Sequence, residues 1–293
     1  MKLEVINDNG LKTNFSFVRE QFNLAYQESN KKIESGKNVA KHRPLLSKPD
    51  SNTKLSKKTD RTSGYKLYSL FLAPSDLSGY NVCPWSSNEC VKVCLNGAGR
   101  GAFHSVQNAR ISKTKMLFER PKIFMETIIS ELFTAMKSAK KNDNKLALRM
   151  NGTQDISWEH IAKFISNFCE QGTENQFFAD LPKFRLYDYT KSFVRVMNRP
   201  EWYDMTFSFN GQNWEQCKKI LDSKRGRVAV VFLDKVPNEY EGYEVINGDL
   251  DDFRFLDPLG SIVGLKYKSI GKEKDAEVAN SCSHKPETFV IKI

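Results

Sequence analysis

The segment Val228-Ala229-Val230-Val231-Phe232-Leu233 constrains the fold of this chain more than any other. An apolar run of strand length, without alternating polar positions, implies a strand covered on both faces, as in parallel sheets. Parallel strands need long crossovers, and the rest of the sequence supplies them. Further strands are predicted at 66–72, 145–150, 184–189 and 205–209, with shorter ones near 243–246, 261–267 and 288–292. Between them lie helical patterns at 105–119, 122–139, 158–170, 191–198 and 213–222. Met125, Ile129, Leu132 and Met136 mark one apolar face of the second helix; Ile161, Phe164, Ile165 and Phe168 are expected inward on the third. Alternating strands and helices predict an α/β protein, with a complete or partial (β/α) barrel as the expected architecture. A doubly wound open sheet is the competing one.

Residues 1–63 read as a polar, basic N-terminal extension holding one amphipathic helix, marked by Phe15, Val18, Phe22 and Ala25. The stretch 48–64 reads as an extended loop. Residues 64–293 are then one barrel-like domain with a cysteine-rich loop at 83–94. A composition of 40% hydrophobic residues supports a sizeable core and excludes wholesale disorder. No apolar run approaches the ~18 residues of a membrane span, and residues 1–5 do not resemble a secretory signal. A soluble cytoplasmic protein is therefore expected.

The six cysteines are unevenly placed: Cys83, Cys90 and Cys94 cluster, whereas Cys169, Cys217 and Cys282 are scattered. In a reducing compartment, clustered thiols point to metal or redox chemistry rather than disulfides. Thiolates are soft ligands, suited to iron–sulfur clusters or zinc. Three of them would hold a 4Fe–4S cluster and leave one iron open to a substrate or cofactor. Zn2+ would need a fourth ligand, for which His104 is the nearest candidate. Small buried thiols in a tight loop are the third possibility.

Several strands end in polar clusters, and ligands of α/β proteins bind at the carboxyl ends of strands. The first cluster contains Asn151, Thr153 and Asp155, either at a binding mouth or as turn and cap residues for the next helix. The second, Tyr187-Asp188-Tyr189-Thr190-Lys191, offers an acid between two stacking surfaces, or core aromatics with Asp188 paired to an arginine. The third contains Asn210. Asp249, Asp251 and Asp252 would suit a hard cation such as Mg2+, a ribose, or a pairing with Arg254; a solvated turn is the commoner outcome. There is no phosphate-binding Gly-Lys-Ser/Thr loop, nucleophile elbow or His-Glu-x-x-His motif.

The formal charge of +10 makes nucleic acid or a nucleotide the first partner to consider, against a plain lysine-rich surface. The excess is uneven: residues 1–70 and 100–150 are basic, whereas 237–260 is acidic apart from Arg254.

The ordered set of motifs resembles the phage gene-product-88-like family. It comprises Asn52-Thr53-Lys54-Leu55, then Cys83-Pro84 through Cys90 to Cys94-Leu95 with the glycines that follow. Arg110, the Leu148–Ile156 turn, Tyr187–Lys191 and Gly248-Asp249 onward to Asp252, Arg254 and Asp257 complete it. The cysteine loop is similar to that of barrel proteins related to radical S-adenosylmethionine enzymes. That likeness implies a 4Fe–4S cluster on Cys83, Cys90 and Cys94 that cleaves the bound cofactor reductively. The spacers here are longer than in the usual radical-enzyme signature, and Val93 rather than an aromatic precedes Cys94.

The expected function is thus an iron–sulfur, radical-type protein, possessing S-adenosylmethionine as a candidate cofactor, that acts on or binds nucleotides or nucleic acid. Asn151, Thr153, Asn210 and Asp249 would line its site. A non-enzymatic, zinc-containing nucleic-acid-binding or host-takeover protein is the first alternative. A base-exchanging or glycosylase-type enzyme, with Asp155 or Asp188 as nucleophile or base, is the second.

Overall fold

A computed structural model describes residues 4–6, 12–39, 43–49, 60–172 and 178–293. The strands β1 (Glu4–Ile6) and β2 (Lys12–Asn14) pair antiparallel and lead into α1 (Phe15–Glu34). Then come β3 (Leu46–Ser47), β4 (Tyr65–Leu70), α2 (Asn88–Lys92), α3 (His104–Glu119) and α4 (Pro121–Asn142). The middle of the chain alternates: β5 (Lys145–Arg149), α5 (Trp158–Ile161), β6 (Phe184–Thr190), α6 (Phe193–Met197), β7 (Tyr203–Ser208), α7 (Trp214–Asp222), β8 (Arg227–Phe232). It closes with β9 (Glu239–Tyr240), β10 (Tyr243–Asn247), β11 (Ile262–Lys266), α8 (Lys272–Ser281) and β12 (Val290–Ile291).

The main sheet has ten strands in the order β3-β4-β5-β6-β7-β8-β11-β10-β9, with β12 pairing β8 off this path. From β4 through β8 to β11 and β10 every pairing is parallel. The edges β3 and β9 are two-residue antiparallel strands. Those edges do not meet among the described residues, so the sheet is open and the expected complete barrel is not formed. The apolar strand predicted at 228–233 sits deep in the sheet, flanked by β7, β11 and β12.

Side-chain alternation gives the sheet two unlike faces. Leu146 and Leu148 of β5, Phe184 and Leu186 of β6, Met205 and Phe207 of β7, and Val228 and Val230 of β8 enter one large core with the helices. On the opposite face Leu67, Ala147 and Tyr187 meet Phe253 and Phe255 in a smaller cluster. Successive strands β4 to β8 lie side by side in sequence order, without the order reversal of a doubly wound sheet.

The helix predicted within the N-terminal segment packs into this same core. Val18, Phe22 and Ala25 of α1 are fully buried, and the Phe22 ring stacks on Phe124 and Trp158 at 6.3 and 6.4 Å. Burying each of the larger side chains stabilises the fold by about 1.5–3 kcal/mol. The helix predicted at 158–170 is shorter than expected. Helical geometry breaks at Ala162 (φ −143°), and Lys163–Phe168 continues as a 3-10 turn. Pairing of Cys169 with Phe184 draws the end of this segment into the sheet, which competes with continued helix. Three of the four predicted inward positions, Ile161, Ile165 and Phe168, are buried, and Phe164 is partly buried against the same core. The Asn52–Leu55 motif and most of the 48–64 loop lie outside the described residues. Among the described residues no helix is long and apolar enough to cross a membrane.

Candidate functional site

The carboxyl ends of β4 and β5 are tied together before any cysteine is placed. Buried Gln154 accepts hydrogen bonds from the Leu72 and Thr153 amides at 3.0 and 3.1 Å. Its own amide donates to the Met150 and Leu70 carbonyls at 2.6 and 3.3 Å. The Thr153 hydroxyl donates to the Leu72 carbonyl at 2.5 Å. Asn151 spans its own turn: its side chain donates to the Ile156 carbonyl and accepts from the Ile156 amide and the Trp158 indole N–H. Gly152 is required by space, since a Cβ there would stand 2.6 Å from the Leu70 carbonyl oxygen and 2.5 Å from the Phe71 ring.

The cysteine loop leaves the end of β4 and is fastened to this frame. The Asp155 amide donates to the Val82 carbonyl at 2.9 Å, next to Cys83. The Ser75 amide donates to the Cys83 sulfur at 3.2 Å. Ser87 caps the short helix α2: its hydroxyl accepts from the Cys90 amide at 3.2 Å and donates to the Asn210 carbonyl, at the end of β7, at 3.3 Å. Three strand ends therefore hold the loop that carries the thiols.

Cys83, Cys90 and Cys94 all line one cavity of about 930 Å³ on the face of the sheet opposite the main core. The strands present Arg149, Tyr189, Ser208, Ala229, Val231 and Leu265 to it. All six thiols of the chain are free. Burial pushes the Cys83 thiol up to about 12, with the charges of Asp155, Cys94 and Cys90 adding to it and the Ser75 amide opposing. Cys94 is raised for the same first reason, while Lys191 and Arg110 favour its thiolate. Burial works against the Lys191 ammonium, yet Cys90 and Asp155 hold its pKa above the ordinary lysine value. Burial therefore favours the neutral thiol at Cys83 and Cys94, and both share their electrostatic surroundings with cations. His104, by contrast, is exposed at the start of α3 and does not line the cavity. Among the described residues no three His, Cys, Asp or Glu side chains gather as a single-ion site.

The remaining candidates divide into those at the cavity and those behind it. Asn151, Thr153, Asp155 and Asp249 line it with the thiols. Asp155 already meets the Arg195 guanidinium at 2.7 Å and the Lys191 amide at 2.8 Å. Asp249 accepts from the Lys266 amide at 2.8 Å and pairs with Lys268 at 2.9 Å. Asp188 and Asn210 are not among the lining residues. Asp188 is fully buried, accepts from the Asn151 amide at 2.7 Å and from the Tyr203 hydroxyl, and is raised to about 7 by burial. The Asn210 side chain accepts from the Gln212 amide at 2.9 Å, shaping the turn after β7. Asp251 and Asp252 face arginines: Arg61 and Arg254 for the first, Arg149 for the second.

Sequence reasoning did not single out Gln154, Lys113, Arg100 or Arg195. Gln154 and Arg195 work through contacts distant in sequence, which leave no local pattern. Arg100 and Lys113 were visible only within the excess of basic residues at 100–150; the fold turns both into cavity wall.

A family model described as Gene product 88 matches residues 44–284, and no curated protein or solved structure matches the chain. The matched span holds the cysteine loop, the strands β3 to β11 of the open sheet and the acidic segment after β10. On that match over most of its length, the chain belongs to the Gene product 88 family.

Proposed function

We propose that this chain is an iron–sulfur protein in which Cys83, Cys90 and Cys94 hold a 4Fe–4S cluster, and that it acts on a nucleotide or nucleic acid by radical-type chemistry. On this reading the open sheet is a partial (β/α) barrel with the cluster at its mouth. The observation that carries the proposal is the convergence of all three thiols of one loop on a single large cavity at the strand ends.

The donor set fits a cluster better than a single ion. A zinc site gathers four ligands about one centre, whereas this loop offers three thiols and His104 does not line the cavity. A cluster is itself wide, so its thiolates stand apart around it and need room between them. Binding would supply the free energy that deprotonates buried thiols such as Cys83. Lys191 and Arg110 would offset the negative charge of the thiolates, one of the means by which a protein tunes a cluster's potential.

When bound, the cluster supplies an electron, and an iron without a protein thiolate is open to S-adenosylmethionine. The chain's own contribution is position and environment. Gln154 and Thr153 hold the loop at the strand ends, Ser87 orients the Cys90 turn, and Asp155 fixes the backbone of Lys191 beside the sulfurs.

Anaerobic reconstitution with iron and sulfide, followed by reduction and electron paramagnetic resonance, tests this reading. A cluster signal that changes shape when S-adenosylmethionine is added supports it. A reconstituted protein with no such signal, or one indifferent to S-adenosylmethionine, refutes respectively the cluster or the radical part.

A further inference from the structure

The cavity carries more positive charge than its own carboxylates and thiols can match. Asp155, Asp249 and Asp252 line it, and each already meets a cation: Arg195, Lys268 and Arg149. Arg100, Arg110, Lys113, Lys191 and Lys266 line the same space, and none has a carboxylate within ion-pair distance among the described residues. Ionising all three thiols would still leave cations in excess. A cleft of one sign with low-dielectric walls concentrates ligands of the opposite sign.

Arg110 stands out within this set. It lies beside Cys94 and over the Phe71 ring at 5.4 Å; its Nη1 donates to Asn96, while its Nε is buried with no hydrogen-bond partner. The Tyr189 hydroxyl is also buried without a partner, and the Tyr189 ring packs under Arg149 at 4.7 Å. Leaving such groups unmet costs about 1–3 kcal/mol each, and both belong to the cavity wall. Around them the wall is apolar and aromatic, with Phe71, Phe209 and Phe289. The volume suits a small-molecule ligand.

We infer that the cavity binds a nucleoside phosphate, with its phosphate held by Arg110 and its base against the aromatic wall near Tyr189. A planar guanidinium matches phosphate oxygens two at a time, and aromatic rings accept the face of any base. This inference rests on the reading of the cavity as the functional site and names the ligand class of that site; it does not require the cluster to be present.

The test uses the full chain purified without iron, so that failure here is separate from failure of the cluster. The four ribonucleoside 5′-monophosphates and their nucleosides are titrated calorimetrically against wild type, Arg110→Gln, Arg110→Lys and Tyr189→Phe. At least one monophosphate should bind, with its nucleoside at least tenfold weaker. Arg110→Gln should weaken the monophosphate about tenfold and leave the nucleoside unchanged, and Arg110→Lys should recover only part of the loss. Tyr189→Phe should weaken monophosphate and nucleoside by the same factor. Matching thermal melts establish that the variants are folded. The proposal fails if no monophosphate binds folded wild type, if nucleosides bind as tightly, or if Arg110→Gln binds as wild type does.

Discussion

Two polar assemblies share the less covered face of the sheet, and their charges meet different things. In the segment after β10, Asp251, Asp252 and Asp257 face arginines at close range. Arg61 reaches Asp251 and Asp257 at 2.8 and 2.7 Å, Arg254 reaches the same two at 3.1 and 2.9 Å, and Arg149 reaches Asp252 at 2.8 Å. At the strand ends, Cys83, Cys90, Cys94, Lys191 and Arg110 surround open space. A buried charge that has its partner resists change, because removing either member strands the other. A buried cation without a close carboxylate keeps part of its burial cost, which an anionic ligand can offset. The acidic assembly therefore reads as scaffold and the thiol assembly as site; from sequence the aspartates suited a cation, a ribose or an arginine, with a solvated turn the commoner outcome.

The largest expected effect separates these two roles. Arg254→Met removes a fully buried cation from two carboxylates and should destabilise the protein by about 3–5 kcal/mol in urea unfolding. Lys191→Met, in the protein without metal, should cost less than about 1 kcal/mol, since Asp155 acts on this ammonium only beyond ion-pair distance and keeps its Arg195 partner when Lys191 is removed. Equal losses in the two variants would break the distinction.

The frame joining the two assemblies comes next. Gln154→Ala deletes four hydrogen bonds at the ends of β4 and β5 and should cost about 2–4 kcal/mol by the same measurement. It should also reduce metal uptake, because the cysteine loop starts from this frame. Gly152→Ala forces a Cβ against Leu70 and Phe71 and should cost about 1–3 kcal/mol.

The most gradual effect, spread over several pH units, is a pH dependence. Burial raises Asp188 to about 7, so the folded state retains a proton there that the unfolded chain loses near 3.8, the ordinary aspartate value. Between those values the native state binds more protons, and stability falls as pH rises, by at most about 1.4 kcal/mol per pH unit. The fall ends above pH 7. Unfolding of wild type and Asp188→Asn compared from pH 4 to 8 should show this slope in wild type alone; parallel curves would show that Asp188 ionises freely in the fold.

Much of the architecture was legible because apolar periodicity and burial coincide. Val18, Phe22 and Ala25, then Met125, Ile129, Leu132 and Met136, all became buried helix faces. Elements without such a stripe were missed: α8 buries no residue, and β3 and β9 are two-residue edge strands. The openness of the sheet was not legible, since local pattern predicts parallel strands without saying whether the first meets the last. At the candidate site, the cysteine spacing directed attention to a loop that the fold sets against the cavity at the strand ends. The side chains around it were hidden because their partners are remote: Arg195 meets Asp155 and Glu159 across about one helix and one strand, and Asn151 owes its role to Asp188 and Trp158. Polar strand-end residues looked like ligands, and several serve first as the stitching that positions the loop.

The central claim is that the three clustered thiols, and not the scattered ones, grip an inorganic centre. It is tested most directly by iron and sulfide content per chain after anaerobic reconstitution. Wild type is compared with a Cys83/Cys90/Cys94→Ala variant and with a Cys169/Cys217/Cys282→Ala variant. The account predicts about four iron and four sulfide in wild type and in the second variant, and almost none in the first. Equal metal in all three proteins, or none in wild type, would contradict it.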